Sequence, residues 1–156
     1  MNYLTRNFYK QGITLIEVMV VVTVLGIIFA IVLPQFAKMR EGQVVKTAVA
    51  DTLSSLNKAR TQTLSSLNSS EYGVHFQSDK VIIFKGEVFS SGAGDNETID
   101  IVSPANISTI TLTGGAVDVY FNKLNGIPSV TGSIIISSAN FSKTITISAT
   151  GIASVN

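Results

Sequence analysis

From Ile13 to Leu33 the chain reads ITLIEVMVVVTVLGIIFAIVL, twenty-one residues with a single charge, Glu17. At a rise of about 1.5 Å per residue, a helix of that length crosses the ~30 Å hydrocarbon core of a bilayer. Lipid offers no partners to peptide groups, so a lone span must be helical to satisfy its own N–H and C=O groups. The run therefore predicts one transmembrane helix over residues 13–33. The β-branched stretch Val20-Val21-Val22 would weaken a helix in water. In lipid the backbone has no competing partner, and that penalty matters little.

The flanks orient the span. Arg6 and Lys10 precede it, with no acid among the first twelve residues, and Lys38, Arg40 and Glu41 follow it. Positive charge marks the cytoplasmic side. The expected placement is thus single-pass in the inner (cytoplasmic) membrane, N-terminus in the cytoplasm, with the remainder periplasmic or otherwise extracytoplasmic. An ordinary secretory signal peptide fits less well. Its apolar core spans about 7–15 residues and ends at a small-x-small cleavage site, whereas this run is longer and ends in Leu33-Pro34-Gln35-Phe36.

Glu17 is the anomaly of the span. A carboxylate inside a membrane helix costs on the order of 2.5–3.5 kcal/mol even on lenient insertion scales. Either it stays wet near the headgroups or it finds a cation. The stretch Lys10-Gln11-Gly12-Ile13-Thr14-Leu15-Ile16-Glu17 resembles the cleavage and methylation signature of type IV prepilins and type II secretion pseudopilins, usually a Gly followed by Phe-Thr-Leu-Ile-Glu. The resemblance implies that a prepilin peptidase removes residues 1–12 as a cytoplasmic leader, cutting between Gly12 and Ile13, and that Ile13 is then N-methylated. The new ammonium at Ile13 would lie four residues before Glu17, one turn apart on a helix. Pairing within one subunit or with a neighbour would then set axial register during assembly. Pro34, twenty-second counting from Ile13, falls where the family commonly carries a helix-kinking proline; an interior proline removes one backbone hydrogen bond and bends the axis. Ile13 for Phe, and Gln11 for Lys or Arg, depart from the usual pattern while keeping its general chemistry.

Beyond Pro34 the pattern becomes amphipathic. Val45, Val49, Leu53, Leu56, Leu64 and Leu67 recur at three- or four-residue steps, with a gap at Ala59-Arg60, and Lys46, Asp51, Ser54, Ser55, Asn57 and Lys58 lie opposite. This predicts a continuation of the helix over residues 34–67, ended by Asn68-Ser69-Ser70. A helix from Ile13 to Leu67 would measure roughly 80 Å if straight. From Glu71 the period shifts to two, predicting strands at Tyr72–Phe76, Lys80–Lys85, Thr98–Val102, Ser108–Thr113, Val117–Phe121, Ser133–Ser138, Lys143–Ser148 and Gly151–Val155. Turns are expected at Gly92–Gly94, Gly114-Gly115, Asn125-Gly126 and Thr150-Gly151. The expected class is α+β: a long N-terminal helix, transmembrane in its first half, packed by its second half on an antiparallel β-sheet head at residues 68–156. Tyr72-Gly73-Val74-His75-Phe76, and the late alternating strand followed by Gly151 and a short last strand, resemble the H-type minor pseudopilins and related minor pilins.

Groups that carry chemistry are scarce. The chain has no Cys and one His, which excludes disulfides, thiolate metal sites and any histidine dyad. His75 lies in an apolar strand and reads as a packed residue. No Ser sits in a nucleophile elbow, and Gly92-Ala93-Gly94 lacks the helix and Lys of a phosphate loop. Asp95, Glu97 and Asp100 offer oxygens to Ca²⁺, but three acids in a loop are also what a solvated connection looks like. No metal or other cofactor is expected. Formal net charge is +1, and from Gly86 onward only Lys123 and Lys143 are basic, so no strong affinity for nucleic acid is expected. The expected function is structural and non-enzymatic: a minor pseudopilin of the type II secretion pseudopilus, serving protein secretion. Its implied partners are the prepilin peptidase, other pseudopilins or pilins in a hetero-oligomeric fibre, the inner-membrane assembly platform and membrane lipid. The alternatives are a minor pilin of a type IV or competence pilus (fibre assembly, adhesion or DNA uptake) and a bitopic protein with a ligand-binding β head.

Overall fold

The computed structural model describes residues 12–156; residues 1–11 of the expected leader, Arg6 and Lys10 among them, lie outside it. One helix, α1 (Leu15–Leu64), is followed by a 3₁₀ turn (Leu67–Ser69) and eight strands. These are β1 (Tyr72–Phe76), β2 (Lys80–Lys85), β3 (Glu97–Asp100), β4 (Asn106–Leu112), β5 (Asp118–Phe121), β6 (Gly132–Ser137), β7 (Ser142–Ile147) and β8 (Ala153–Val155). Contacts divide the chain into two compact units, Met1–Ala37 and Lys38–Asn156.

In the first unit every described residue is exposed. The helix there is apolar on all sides, which is the surface of a helix in lipid or in a bundle of like helices. It is long and apolar enough to cross a membrane. Its Thr23 hydroxyl donates to the Met19 carbonyl at 2.8 Å, hiding a polar group within the helix itself. Pro34 lies inside α1, with helical residues on both sides.

In the second unit the strands form two antiparallel sheets, ordered β3-β2-β1-β5 and β4-β6-β7-β8. Each expected strand is present; β1 and β2 have the expected bounds. The inward residues of both sheets, including Val74, Phe76, Val119, Phe121, Ile134, Ile136, Ile145 and Ile147, join Val45, Val49 and Leu56 of α1 in one core. Full burial of side chains of this size contributes about 1.5–3 kcal/mol each. In β4 the register slips between Ile107 and Thr109. Ser108 is the extra residue, and its hydroxyl donates to the Ile135 carbonyl at 3.3 Å.

The helix face that packs on the sheets differs from the expected stripe. α1 buries Val45, Ala48, Val49, Thr52, Ser55, Leu56, Ala59 and Thr63. Leu64 and Leu67 are 43% and 44% exposed, and Ser55, assigned to the polar side, is buried. Small residues dominate this face, so the helix backbone approaches the sheets closely. The buried hydroxyls bond within the helix: Thr52 to Ala48 O (2.8 Å), Ser55 to Asp51 O (2.8 Å) and Thr63 to Ala59 O (3.0 Å). With its hydroxyl satisfied, a Ser or Thr enters a core at little cost.

Thr63 also accepts the backbone N–H of Tyr72 at 2.8 Å, tying the end of α1 to the start of β1. Between them the chain reverses through left-handed backbone at Ser66, Asn68 and Ser69, so α1 ends a few residues earlier than expected. Arg60 clamps two turns from the helix side: Nε donates to Gly126 O (3.1 Å) and a terminal NH₂ to Thr150 O (3.3 Å). Gly73 faces the outer side of its sheet, where a Cβ would sit 2.5 Å from the Phe84 ring and 2.7 Å from Val119 O. Only glycine leaves room for the Phe84 ring to approach the strand this closely.

Candidate processing and assembly site

The start of α1 is built by Thr14. Its side-chain oxygen accepts the Glu17 N–H at 3.3 Å, while its carbonyl accepts the Val18 N–H at 3.2 Å. Thr14 is thus the N-cap and Glu17 the third helical residue, the spacing of a Thr-x-x-Glu capping box. The expected helix start at Ile13 is displaced by this cap, and Ile13 precedes the helix, 76% exposed. Gly12 is exposed and lies outside the helix. The Glu17 carboxylate stands in the first helical turn, where unpaired N–H groups favour negative charge. It makes no ion pair among the described residues.

Sequence reasoning found Gly12, Ile13 and Glu17 through their resemblance to the prepilin signature and overlooked Thr14. The signal was available: a Thr three residues before a Glu, opening an apolar run, is a helix-start pattern in its own right. Glu17 therefore has two physical roles at this end, a structural one through the capped turn and a proposed one through its charge.

In the second unit, ionic groups tie elements together. Lys58 on α1 contacts both oxygens of Glu97 on β3 at 2.6 Å, and Lys123 lies 3.3 Å from Glu71. Glu97 is thereby turned toward α1. Lys80, not an acid, stands opposite Asp100 in the ladder. Among the described residues no group of three His, Asp or Glu side chains is placed to hold a metal ion.

His75 is half-buried on the outer face of β1, stacked on Phe89 with ring centroids 3.9 Å apart and planes 6° apart. Burial lowers its pKa below the ordinary 6.5, and Asp118, its neighbour across the β1–β5 ladder, pulls the other way. Its Nδ1 is buried without a hydrogen-bond partner. Among the described residues no hydroxyl or carboxylate is bonded to it, so it fits the packed strand residue expected from sequence.

Residues 7–33 match the model of the prokaryotic N-terminal methylation motif. The chain carries the prepilin signal and is in this respect type IV pilin-like. Comparison with curated proteins and with solved structures gives no match. The motif implies processing by a prepilin peptidase and assembly with other pilins. Proteins of this kind are generally structural rather than enzymatic.

Proposed function

We propose that the chain is a minor pseudopilin of a type II secretion system. It is inserted with its N-terminus in the cytoplasm, cut between Gly12 and Ile13, and N-methylated on Ile13. The apolar half of α1 holds the subunit in the inner membrane until assembly, when it leaves lipid for a bundle of like helices. The β unit faces the periplasm, and Pro34 bends the helix between lipid-facing and sheet-packed parts. In the bundle the Glu17 carboxylate pairs with an Ile13 ammonium, its own or a neighbour's, and fixes axial register. Other pseudopilins and the inner-membrane assembly platform are the partners.

The observation that carries this reading is the methylation motif at residues 7–33, with Glu17 the only charge in the apolar run behind it. The choice of secretion over a type IV or competence pilus is supported by the strand Tyr72–Phe76 directly after the helix. Intact mass of the protein from membranes containing an active prepilin peptidase tests the processing. The expected product lacks residues 1–12 and carries one added methyl group; recovery with Met1 attached overturns the proposal. Deleting the gene is expected to lower protein export, whereas loss of DNA uptake or adhesion alone would indicate the pilus.

A further inference from the structure

The turn between β6 and β7 is moored to α1 near its residues 41–42. Asn140 Nδ2 donates to Glu41 Oε2 at 2.9 Å and Ser138 Oγ approaches the same oxygen at 3.5 Å. The Phe141 ring lies against Gly42, with ring atoms 3.5–3.7 Å from where a Cβ would stand. Beside this contact is an open groove of ≈ 290 Å³ whose lining includes Met39, Gly42 and Phe141 together with Lys38, Lys46 and Lys143. Met39 is 65% and Phe141 41% exposed.

The charges on this groove are unbalanced. Lys58, Lys80 and Lys123 each have an acid within 4.0 Å. Lys38, Lys46 and Lys143 have none among the described residues, which is also true of Arg40 and Lys85, but these three together line one groove with exposed apolar side chains. The nearest acid along this stretch of helix is Glu41, and its carboxylate oxygen is taken by the neutral amide of Asn140 and hydroxyl of Ser138. Three ammonium groups around two exposed apolar side chains fit a ligand that carries phosphate at one end and hydrocarbon at the other. Lys38 is also the fifth residue after Leu33, where the apolar run ends.

We propose that this groove binds the headgroup of an anionic phospholipid, with phosphate among Lys38, Lys46 and Lys143 and the upper acyl chain against Met39 and Phe141. This rests on the reading of residues 13–33 as a membrane anchor. Basic side chains beside an anionic membrane surface are each attracted to it, and long lysine stems cover apolar surface while keeping the ammonium at the polar boundary.

The test is lysine footprinting of the full chain in nanodiscs, one copy per disc. One set is made of phosphatidylcholine, the other of phosphatidylcholine mixed with phosphatidylglycerol. Acylation at Lys46 and Lys143 is expected to slow by about fivefold in the anionic discs, with Lys85 unchanged as an internal control. High salt, or Lys143→Gln read out at Lys46, is expected to restore the rate. Equal rates in the two disc types would overturn the proposal. So would protection that appears only with two copies per disc whatever the lipid, since the groove would then face a second subunit. Failure of the chain to enter either disc would overturn the anchor reading itself, and this proposal with it.

Discussion

Thr14 and Glu17 can be separated by two substitutions that act on different physics. Thr14→Ala removes the side-chain acceptor of the Glu17 N–H and leaves the carboxylate in place. Glu17→Gln keeps the cap and a side chain of the same shape but removes the charge. The capping bond is long at 3.3 Å, which places it toward the lower end of the ~0.5–2 kcal/mol range for such caps. The cap lies within one chain and can form in the membrane and in the fibre alike, so most of that loss cancels in the partition between them. Thr14→Ala is therefore expected to lower incorporation by no more than about fivefold. A pair of Glu17 with an Ile13 ammonium in an apolar bundle is a different matter. Removing one member of a buried pair costs about 3–5 kcal/mol, so Glu17→Gln should reduce incorporation by more than about a hundredfold. The assay co-expresses wild-type and variant chains under different tags at equal membrane levels, then measures their ratio in sheared fibres, with leader removal checked by mass in each. Equal depletion of the two variants would refute the charge mechanism and assign Glu17 to the helix start. Wild-type incorporation of Glu17→Gln would refute it outright.

Three further expectations concern the β unit and are read from thermal unfolding of the full chain in micelles. Thr63→Val leaves the buried Tyr72 N–H without its acceptor and should cost about 1–3 kcal/mol, with faster hydrogen exchange at Tyr72; Thr63→Ser should keep that amide slow, and fast exchange in both would sink the assignment. Gly73→Ala drives a methyl into the Phe84 ring and the Val119 carbonyl, for an expected loss of about 1–3 kcal/mol; no change in Tm would show that the strand gives way freely. His75 is held below its ordinary pKa of 6.5 by burial, against the pull of Asp118, so below about pH 6.5 the unfolded chain binds the extra proton. Stability should then fall as pH drops from 6.5 toward the folded-state pKa and level off beneath it. His75→Phe, which keeps the stack on Phe89, should flatten that slope, and an unchanged slope would rule out His75 as its source.

The parts of the fold that were legible in sequence are those set by periodicity. The alternation of Lys143-Thr144-Ile145-Thr146-Ile147 gave β7 and its inward face directly, and the long apolar run gave the start of α1 to within two residues. Burial on the second half of α1 was harder to read, because size misleads there. Leu64 and Leu67 look like core by hydrophobicity but lie exposed, while Thr52, Ser55 and Thr63 look like surface but pack inward once their hydroxyls bond the preceding turn. The division of strands between two sheets depends on which strand of distant sequence pairs with which, and no local pattern carries that. β5 joins β1 across more than forty intervening residues. At the candidate site the motif pointed to Gly12–Ile13 as the proposed scissile bond, but the cap at Thr14 required reading the same residues as helix chemistry. Arg60 appeared only as a gap in the apolar stripe, since its partners are backbone carbonyls at Gly126 and Thr150 that no side-chain pattern announces.

Charge placement in a chain with so few charges carries its own argument. Four cations of the β unit are answered internally: Lys58 by Glu97, Lys80 by Asp79, Lys123 by Glu71, and Arg60 by two carbonyls. Lys85, Glu87, Asp95 and Asp100 are exposed without an ion pair, as ordinary surface charges are; two other sets of unpaired charge lie beside apolar side chains at the two ends of the apolar run. Glu17 stands near its start without a cation, and Lys38, Lys46 and, from the β6–β7 side, Lys143 gather past its end without an anion. What sets these two places apart is the apolar surface around the charge: Glu17 lies within the apolar run, and the three lysines surround the exposed Met39 and Phe141. Partners outside the folded chain fit both, an ammonium made by the proposed cleavage at one end and a lipid phosphate at the other. The two are independent in chemistry and in test: Glu17→Gln should impair incorporation without changing lysine footprints in discs. Lys143→Gln should change the footprints and leave cleavage at Gly12 intact. If either substitution disturbed both readouts, the two ends would not be separate sites and the assignment of partners would fail.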